Sequence, residues 1–203
     1  MPAAARAPAG AETKATRTRR RIIAAAATEF AAGGYEGASL RNVAAAADLQ
    51  LGSLYFHFAS KDELIIEVLR DAIEFALERL DEALAALGDQ AGPADRLSAA
   101  IDAHLGALHE SRSRGTAVVR MLDPLPASIQ DRNVVQTRRY ARYWSRLLTE
   151  AQQAGVVASD LDIRVTRDLL LAAMNGSVLS TRSGPVYVRA CAQSLKRMLL
   201  TPM

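Results

Sequence analysis

The sequence has little of what marks secreted, membrane and metal-binding proteins. It contains one cysteine, Cys191, which cannot form an intrachain disulfide and has no histidine near it at metal-ligand spacing. The longest apolar run near the start, residues 22–27, is far shorter than the roughly 20 residues that cross a bilayer. It also lacks the layout of a secretory signal. We therefore expect a cytoplasmic protein that has no contact with a membrane.

Enzyme motifs are absent as well. The chain has no G-x-S-x-G, H-E-x-x-H, P-loop or dinucleotide-binding fingerprint. His104 and His109 are five residues apart, which is about 140° around a helix and a poor arrangement for a shared metal ion. The sequence therefore predicts a protein that is not an enzyme and that carries no cofactor or metal.

Strand patterns are missing too, because no window alternates apolar and polar residues over several positions. Apolar residues instead recur at helical spacing, and half of the residues are hydrophobic, which is enough for a packed core. We therefore expect an all-α fold. The predicted helices cover residues 16–32, 39–47, 51–56, 60–87, 94–110, 115–121, 131–154, 164–182 and 186–200.

The net charge of +3 is small but unevenly distributed. Residues 1–61 hold eight Lys and Arg against four Asp and Glu, so the positive field lies at one end of the chain. A basic end of this kind is typical of a segment that meets phosphates. Residues 1–15 are rich in Ala, Pro and Gly and poor in large apolar side chains, which predicts a disordered tail.

Two short helices joined by a tight turn form the segment with the most chemical information. The first of them begins at Ser39, whose hydroxyl can cap free backbone N–H groups. The turn contains Asp48, which tolerates the left-handed backbone conformation that such a turn requires. Ser60 and Glu63 then have the spacing of a capping box at the start of the next helix. This arrangement predicts a helix-turn-helix, whose second helix enters the major groove of DNA.

The stretch over residues 39–65, SLRNVAAAADLQLGSLYFHFASKDELI, resembles the DNA-binding core of the tetracycline-repressor (TetR) family. The resemblance covers about a quarter of the chain closely, and it rests on Gly52, Leu54, Tyr55, His57, Phe58, Lys61 and Leu64. Asp48 departs from the family by replacing the usual turn glycine, and Leu51 stands where a basic or hydroxylated residue is more common. The resemblance implies an N-terminal three-helix DNA-binding domain over residues 16–62. It also implies a C-terminal helical domain over residues 63–203 for ligand binding and dimerisation.

We predict DNA contacts along this stretch. Tyr55, His57 and Lys61 can donate to phosphate oxygens, and Lys61 lies at the positively polarised start of a helix. Gln50 can read the N6/N7 edge of adenine. The predicted set also contains Ser39 and Arg41 at the start of the preceding helix, and Leu51 and Ser53 on the reading helix. The basic run Arg17, Arg19, Arg20 and Arg21 either forms a solvated face or follows the DNA, and both interpretations stay open.

The body of the protein offers apolar stripes that need partners. The closing two helices carry two apolar stripes, which either pack in an intramolecular core or, as in TetR proteins, form a four-helix interface of a homodimer, and we predict the homodimer. The stripes are Leu169, Ala173 and Leu179, and then Val188, Cys191, Leu195, Met198 and Leu199. Tyr140 and Trp144 share a face of the preceding long helix, which either lines an apolar cavity or packs in the core. The predicted ligand-binding residues are Met121, Leu122, Tyr140, Trp144, Asn175 and Leu179. The row Arg138, Arg142 and Arg146 either meets solvent or borders the cavity mouth, where it would hold an anionic group.

Together these features predict a ligand-responsive repressor that binds a palindromic operator on double-stranded DNA. Its effector is expected to be a small apolar or amphipathic molecule. The C-terminal half resembles TetR regulators of lipid and steroid breakdown, which implies an acyl-CoA thioester. The alternative is a ligand-independent dimeric DNA-binding protein or an activator, and a solid core around Trp144 would favour it.

Overall fold

The computed structural model describes residues 13–110, Thr116 and 125–200, and these ranges contain helices but no strand. The all-α prediction is confirmed. The helices are α1 (Lys14–Gly37), α2 (Leu40–Ala46), α3 (Leu51–His57), α4 (Lys61–Ala86), α5 (Pro93–Glu110), α6 (Ala127–Gln153), α7 (Ile163–Gly176), a 3-10 turn (Ser177–Leu179) and α8 (Pro185–Leu199). Apart from Thr116, the predicted helix over 115–121 lies outside the described residues, as does most of the predicted tail. None of the described helices has the length and apolarity to cross a membrane.

Some helix boundaries differ from the predicted ones. The α6 helix begins four residues early, because the extended backbone of Pro126 serves as its N-cap and proline suits a helix start. The α7 helix ends at Gly176 and tightens into a 3-10 turn, whereas the pattern predicted a helix to residue 182. The predicted stop after α1 appears as a kink, since Gly34 has φ 65° and ψ −170°.

Two hydrophobic clusters organise the chain. The N-terminal core joins α1, α2, α3 and the first half of α4, and it also contains Leu125 and Ile129 from the start of α6. The C-terminal core joins the second half of α4 to the remaining helices, around the fully buried Trp144. The α4 and α6 helices therefore contribute residues to both cores. A displacement of either helix changes the packing of the N-terminal core and of the C-terminal core.

The turn between α2 and α3 depends on Asp48, whose φ of 53° is the only positive value for a non-glycine residue in the described ranges. The predicted left-handed conformation is confirmed. An L-residue in this region costs about 1–2 kcal/mol, less for aspartate, whereas glycine avoids the penalty. We expect Asp48→Gly to be more stable to urea than Asp48→Ala by about 1 kcal/mol, with the parent protein between them. Equal midpoints for the two variants would contradict this account.

Candidate functional site

The α3 helix is anchored by two side chains four residues apart. Leu54 and Phe58 are fully buried in the N-terminal core, as the sequence predicts. Residues one helical turn apart share a face, so burying these two leaves the opposite face of α3 on the surface. The N-terminal core therefore holds the inner face of α3, and the opposite face of this short helix is exposed to solvent.

The outward face of α3 carries most of the predicted base-reading groups. Gln50 and Ser53 are exposed, and Gln50 occupies the N-cap position without using its side chain as a cap. A Cβ added at Gly52 would meet no atom within 4 Å outside the adjoining residues and backbone of its own helix, so packing against the rest of the protein does not require a glycine there. Leu51, in contrast, is half-buried against the N-terminal core. The free amide of Gln50 and the bare backbone at Gly52 leave room for a close external partner.

Sequence reasoning missed Phe56, whose side chain is 88% exposed on the same helix. Its ring meets the His57 imidazole edge to face, with 5.6 Å between the ring centroids. Tyr55 beside it is about half exposed, and His57 is more covered. The signal was available, because Phe56 falls outside the apolar spacing that Leu54 and Phe58 define. Together with Tyr55, Phe56 gives α3 a small exposed aromatic patch that is open to another molecule.

The beginning of α2 is fixed by α1. The Oε1 atom of Glu29 accepts hydrogen bonds from the backbone N–H of Ser39 at 3.1 Å and from the Asn42 amide at 3.0 Å. The Ser39 hydroxyl in turn accepts from the Asn42 backbone N–H at 3.4 Å, which confirms its predicted role as a cap. Arg41 projects from this end of α2 and is exposed.

Two arginines of the basic run in α1 hold the ends of the reading segment. The guanidinium of Arg19 donates to the carbonyl of His57 at 3.1 Å, pairs with Glu67 at 3.0 Å and lies 4.2 Å from the centre of the Phe58 ring. Arg21 donates to the carbonyl of Ala47, the C-cap of α2. These two side chains therefore fasten α2 and α3 to α1.

Lys61 lies at the first residue of α4, close to the end of α1. Its ammonium donates to the carbonyl of Glu36 at 3.2 Å and lies 5.0 Å from the centre of the Tyr35 ring. The Tyr35 hydroxyl donates to Asp62, and this hydrogen bond to a carboxylate raises the pKa of Tyr35 to about 12. Lys61 is thus positioned by α1 and partly exposed at the edge of the α3 surface.

A second feature is an apolar cavity of about 330 Å³ that is lined by α4, α5, α6 and α7 and open on one side. Its α4 wall consists largely of Leu69, Ala72, Ile73 and Ala76, whose three- and four-residue spacing places their side chains on one helix face. Alanines from the other three helices, Ala107, Ala141 and Ala172, also line it. The volume lies at the lower end of the ~300–1,000 Å³ that is usual for small-molecule pockets.

Three side chains from three helices form a hydrogen-bonded chain in the cavity wall. Nδ1 of His104 is bonded to the Tyr140 hydroxyl, and Nε2 lies 3.3 Å from Oδ1 of Asn175. Since Oδ1 can only accept, Nε2 donates to it and Nδ1 accepts the tyrosine proton. Burial lowers the pKa of His104 to about 4 and raises the pKa of Tyr140. The chain is therefore uncharged at neutral pH.

One buried amide oxygen in the cavity wall has no partner among the described residues. Asn133 is 8% exposed, and its Oδ1 atom makes no hydrogen bond within the described residues. Leaving a buried acceptor without a donor costs about 1–3 kcal/mol.

The structure brings together only part of the predicted ligand-binding set. Tyr140 and Asn175 line the cavity, while Trp144 lies behind it, with its ring edge to face against His104. Leu179 is exposed on the 3-10 turn and does not line the cavity, because the helix that was predicted to carry it ends at Gly176. Met121 and Leu122 lie outside the described residues. Sequence reasoning considered His104 only as a metal ligand, although its place in the apolar stripe of α5 was a usable signal.

The arginine row lies on the solvent side of α6. Arg138, Arg142 and Arg146 are all exposed, and Arg146 lies 3.8 Å from Glu150. Arg138 follows directly after Thr137, an exposed residue at the rim of the cavity. None of the three arginines lines the cavity.

The surface of α7 and α8 retains exposed apolar side chains. Leu169 on α7 and Met198 on α8 are 67% and 83% exposed, and Val165 and Val186 are also exposed. Much of the predicted α8 stripe instead packs inward, since Val188, Cys191, Leu195 and Leu199 lie against the C-terminal core. The apolar surface left for another molecule is therefore narrower than the sequence pattern indicates.

Family models match most of the chain. Residues 22–68 match the model described as "Bacterial regulatory proteins, tetR family", and residues 90–200, more than half of the chain, match "Tetracyclin repressor-like, C-terminal domain". The HTH-type transcriptional repressor KstR2 of Mycobacterium tuberculosis is 27% identical over 150 residues, covering 71% of this chain and 72% of KstR2.

Solved structures share the fold over nearly their whole length. AibR, in a crystal structure with isovaleryl coenzyme A and operator DNA, has a TM-score of 0.77 at 20% identity, covering 92% of this chain and 100% of AibR. FadR of Bacillus subtilis, in complex with stearoyl-CoA, has a TM-score of 0.75 at 20% identity, covering 90% and 97%.

Proposed function

The chain belongs to the TetR family of bacterial transcriptional regulators, and on that premise we propose that it is a ligand-responsive repressor. Residues 16–62 bind a palindromic operator, and residues 63–203 bind the effector and form the homodimer. The effector is a small apolar or amphipathic molecule such as an acyl-CoA thioester. The observation that carries the proposal is that α4 joins the presented α3 helix to the wall of an apolar cavity.

DNA binding is supported by the surface of α3. Gln50, Ser53, Tyr55 and Phe56 are exposed around the open position at Gly52. Such a face fits a major groove, where the Gln50 amide can read adenine and Tyr55 can reach a phosphate. Phe56 can pack against sugar or thymine methyl groups. The remaining proposed contacts are Ser39, Arg41, Leu51, His57 and Lys61.

Dimerisation is supported by the exposed apolar residues of α7 and α8, with Leu169 and Met198 foremost. A two-fold dimer through these helices presents two copies of α3 to one face of a duplex. Half-sites about 34–36 Å apart would then be read together, which explains why the operator should be a palindrome.

Effector binding is supported by the cavity. Two of the helices that line it, α4 and α6, also contribute residues to the N-terminal core. On α4, Leu69 belongs to the N-terminal core and also lines the cavity. Glu67, two residues earlier, holds the Arg19 side chain that binds the last carbonyl of α3. On α6, Ile129 lies in the N-terminal core, one helical turn before the cavity residue Asn133. A ligand that moves either wall changes the position of α3.

An acyl-CoA effector is supported by the crystal structures of AibR with isovaleryl coenzyme A and FadR with stearoyl-CoA. The cavity would hold the acyl part, while Arg138 beside its rim would meet a phosphate of the coenzyme outside. The core around Trp144 itself is filled, since Trp144 is fully buried and does not line the cavity. The cavity on the other side of His104 and Tyr140 nevertheless favours a ligand-responsive protein over the ligand-independent alternative.

The test is binding of the full chain to the DNA beside its own gene. We expect analytical ultracentrifugation to show two chains on each duplex. A medium-chain acyl-CoA should then weaken binding by about 5–150-fold, the usual range of allosteric coupling. A single chain on each duplex, or a complex that no candidate effector weakens, would contradict the dimer or the effector respectively.

The DNA contacts make a separate prediction. Tyr55→Phe combined with Lys61→Ala should weaken binding to operator and unrelated DNA alike. It should lower the slope of log K against log salt by about 2, because each of the two chains loses one lysine contact. Gln50→Ala is the matched control on the same surface. It should lose about 1–3 kcal/mol of binding free energy for each half-site, on the operator only, with an unchanged salt slope. An unchanged affinity and slope in the double variant would show that these side chains do not touch DNA.

A further inference from the structure

One carboxylate on α4 is shared between two arginines on different helices. Oε2 of Glu67 pairs with the Arg19 guanidinium of α1 at 3.0 Å, and Oε1 of Glu67 pairs with the Arg70 guanidinium of α4 at 3.4 Å. The Glu67 side chain is 22% exposed, which is less than either arginine side chain. Glu67 therefore has one partner on its own helix and one partner on a neighbouring helix.

Arg19 connects Glu67 to the end of the α3 helix. The Nη1 atom of its guanidinium donates to the carbonyl of His57, the last residue of α3, at 3.1 Å, and the Nη2 atom pairs with Glu67. A cation at this end of a helix is favourable, because the helix dipole places partial negative charge there. Glu67 holds the guanidinium in position for this contact. The Arg19–Glu67 pair therefore fixes the last turn of α3 relative to α4.

The two arginines respond differently to a displacement of α4. Glu67 and Arg70 are three residues apart on one helix, so a rigid shift of α4 moves them together. Glu67 and Arg19 lie on separate helices, and their attraction weakens as the distance between them grows. Leu69 lines the cavity two residues after Glu67, so a ligand that displaces this wall also displaces the carboxylate. Arg70 still compensates the charge of the carboxylate, which lowers the cost of losing Arg19.

We infer that Glu67 is the positioning residue of an ion-pair switch. With the cavity empty, Glu67 holds Arg19 and thereby the end of α3, and with α4 displaced by an effector it keeps only Arg70. This inference rests on the proposed effector site. Arg19 then stabilises the conformation that binds the operator, whereas Arg70 stabilises the conformation that releases it. Substitutions of the two arginines should therefore have opposite effects, each of up to about fivefold, which is the usual range for a partly exposed ion pair.

The first experiment measures octanoyl-CoA binding to the full-length protein by calorimetric titration in the absence of DNA. Neither arginine lines the cavity. Arg19→Gln should bind octanoyl-CoA about threefold more tightly than the parent protein, because the effector-binding conformation is more populated. Arg70→Gln should bind it about threefold more weakly. An ion pair with a purely structural role gives no reason for tighter binding when a remote side chain is lost.

Arg79→Gln is the matched control for the lost charge. Arg79 lies further along α4, forms an ion pair of the same i,i+3 spacing with Glu82 at 2.7 Å and does not line the cavity. Its substitution removes one positive charge and one ion pair from the same helix without touching Glu67. The affinity of this variant for octanoyl-CoA should equal that of the parent protein.

The second experiment needs no effector and follows hydrogen–deuterium exchange of residues 55–58 by mass spectrometry. Glu67→Gln keeps the shape of the side chain and removes its charge. We expect the last turn of α3 to exchange about two- to fivefold faster in this variant, because Arg19 is no longer fixed. Octanoyl-CoA should produce the same acceleration in the parent protein and should add almost nothing in Glu67→Gln, since the pair is already lost.

The outcomes separate this inference from the proposed function. Affinity shifts of the same sign in Arg19→Gln and Arg70→Gln, or the parental affinity in both, would overturn the switch and leave the repressor intact. Additive acceleration of exchange by octanoyl-CoA and Glu67→Gln would show that the pair has only a structural role. If octanoyl-CoA does not bind the parent protein, the acyl effector class fails. Exchange at the parental rate in Glu67→Gln would then overturn the positioning role as well.

Discussion

An Ala72→Phe variant should remain bound to the operator at effector concentrations at least 100-fold above those that release the parent protein. Ala72 lies in the middle of the α4 stripe that lines the cavity, so a benzyl group there grows into empty space instead of into packed atoms. The filled cavity has no room for the ligand, while α3 and the N-terminal core are unchanged. Operator affinity in the absence of effector should stay within threefold of the parent value, as measured by fluorescence anisotropy.

Ala86→Phe provides the matched control. Ala86 is exposed at the end of the same helix and does not line the cavity, so this variant should release DNA at the parental effector concentration. If Ala72→Phe loses operator affinity because α4 shifts, Ala107→Leu fills the same cavity from α5 and tests the same point. If both filled variants release operator DNA at the effector concentration that releases the parent protein, the effector site lies elsewhere in the protein.

The buried imidazole of His104 should make the folded protein sensitive to acid. Burial lowers its pKa to about 4, whereas a histidine in the unfolded chain titrates near 6.5. Between these values the unfolded chain binds a proton that the folded protein does not, so stability is present above pH 6.5 and is lost as the pH falls. We expect the free energy of unfolding to drop by about 2 kcal/mol between pH 7 and pH 5 from this group alone.

The measurement compares urea unfolding of the parent and of His104→Gln at both pH values. All other titratable groups are shared, so the difference between the two pH responses isolates His104. Glutamine keeps a hydrogen-bonding group beside Tyr140 and Asn175 but has no proton to gain in this range. Equal losses of stability in the two proteins would show that the imidazole is not held neutral in the folded state.

The helix-turn-helix was readable from the sequence because its signals are local. The spacing of Leu54 and Phe58 gives the buried face of α3, and Asp48 marks the left-handed turn before it. At the start of α4, Ser60 accepts from the Glu63 backbone N–H at 3.1 Å, as the capping-box spacing predicts. The Glu63 carboxylate then reaches back to the N–H of Ala59 at 2.8 Å. Each of these interactions joins residues that are at most four positions apart.

The arginines of α1 show where local reasoning stops. The sequence of this basic run is compatible both with a solvated helix face and with an arm that binds DNA. Arg19 meets the carbonyl of His57, 38 positions later, and Arg21 meets that of Ala47, 26 positions later. Only the packing of α1 across α2 and α3 determines that these two side chains form intramolecular hydrogen bonds to the ends of those helices.

By itself, the sequence determined most of the helices, the buried face of α3 and the family, because helical periodicity, caps and turn residues act within a few positions. The cavity was decided by the tertiary structure. It exists where alanines from four helices leave space unfilled, and its polar wall joins His104 to Tyr140 and Asn175, which are 36 and 71 positions away. A void depends on the relative placement of all its walls, and the periodicity of a single helix carries no information about that placement.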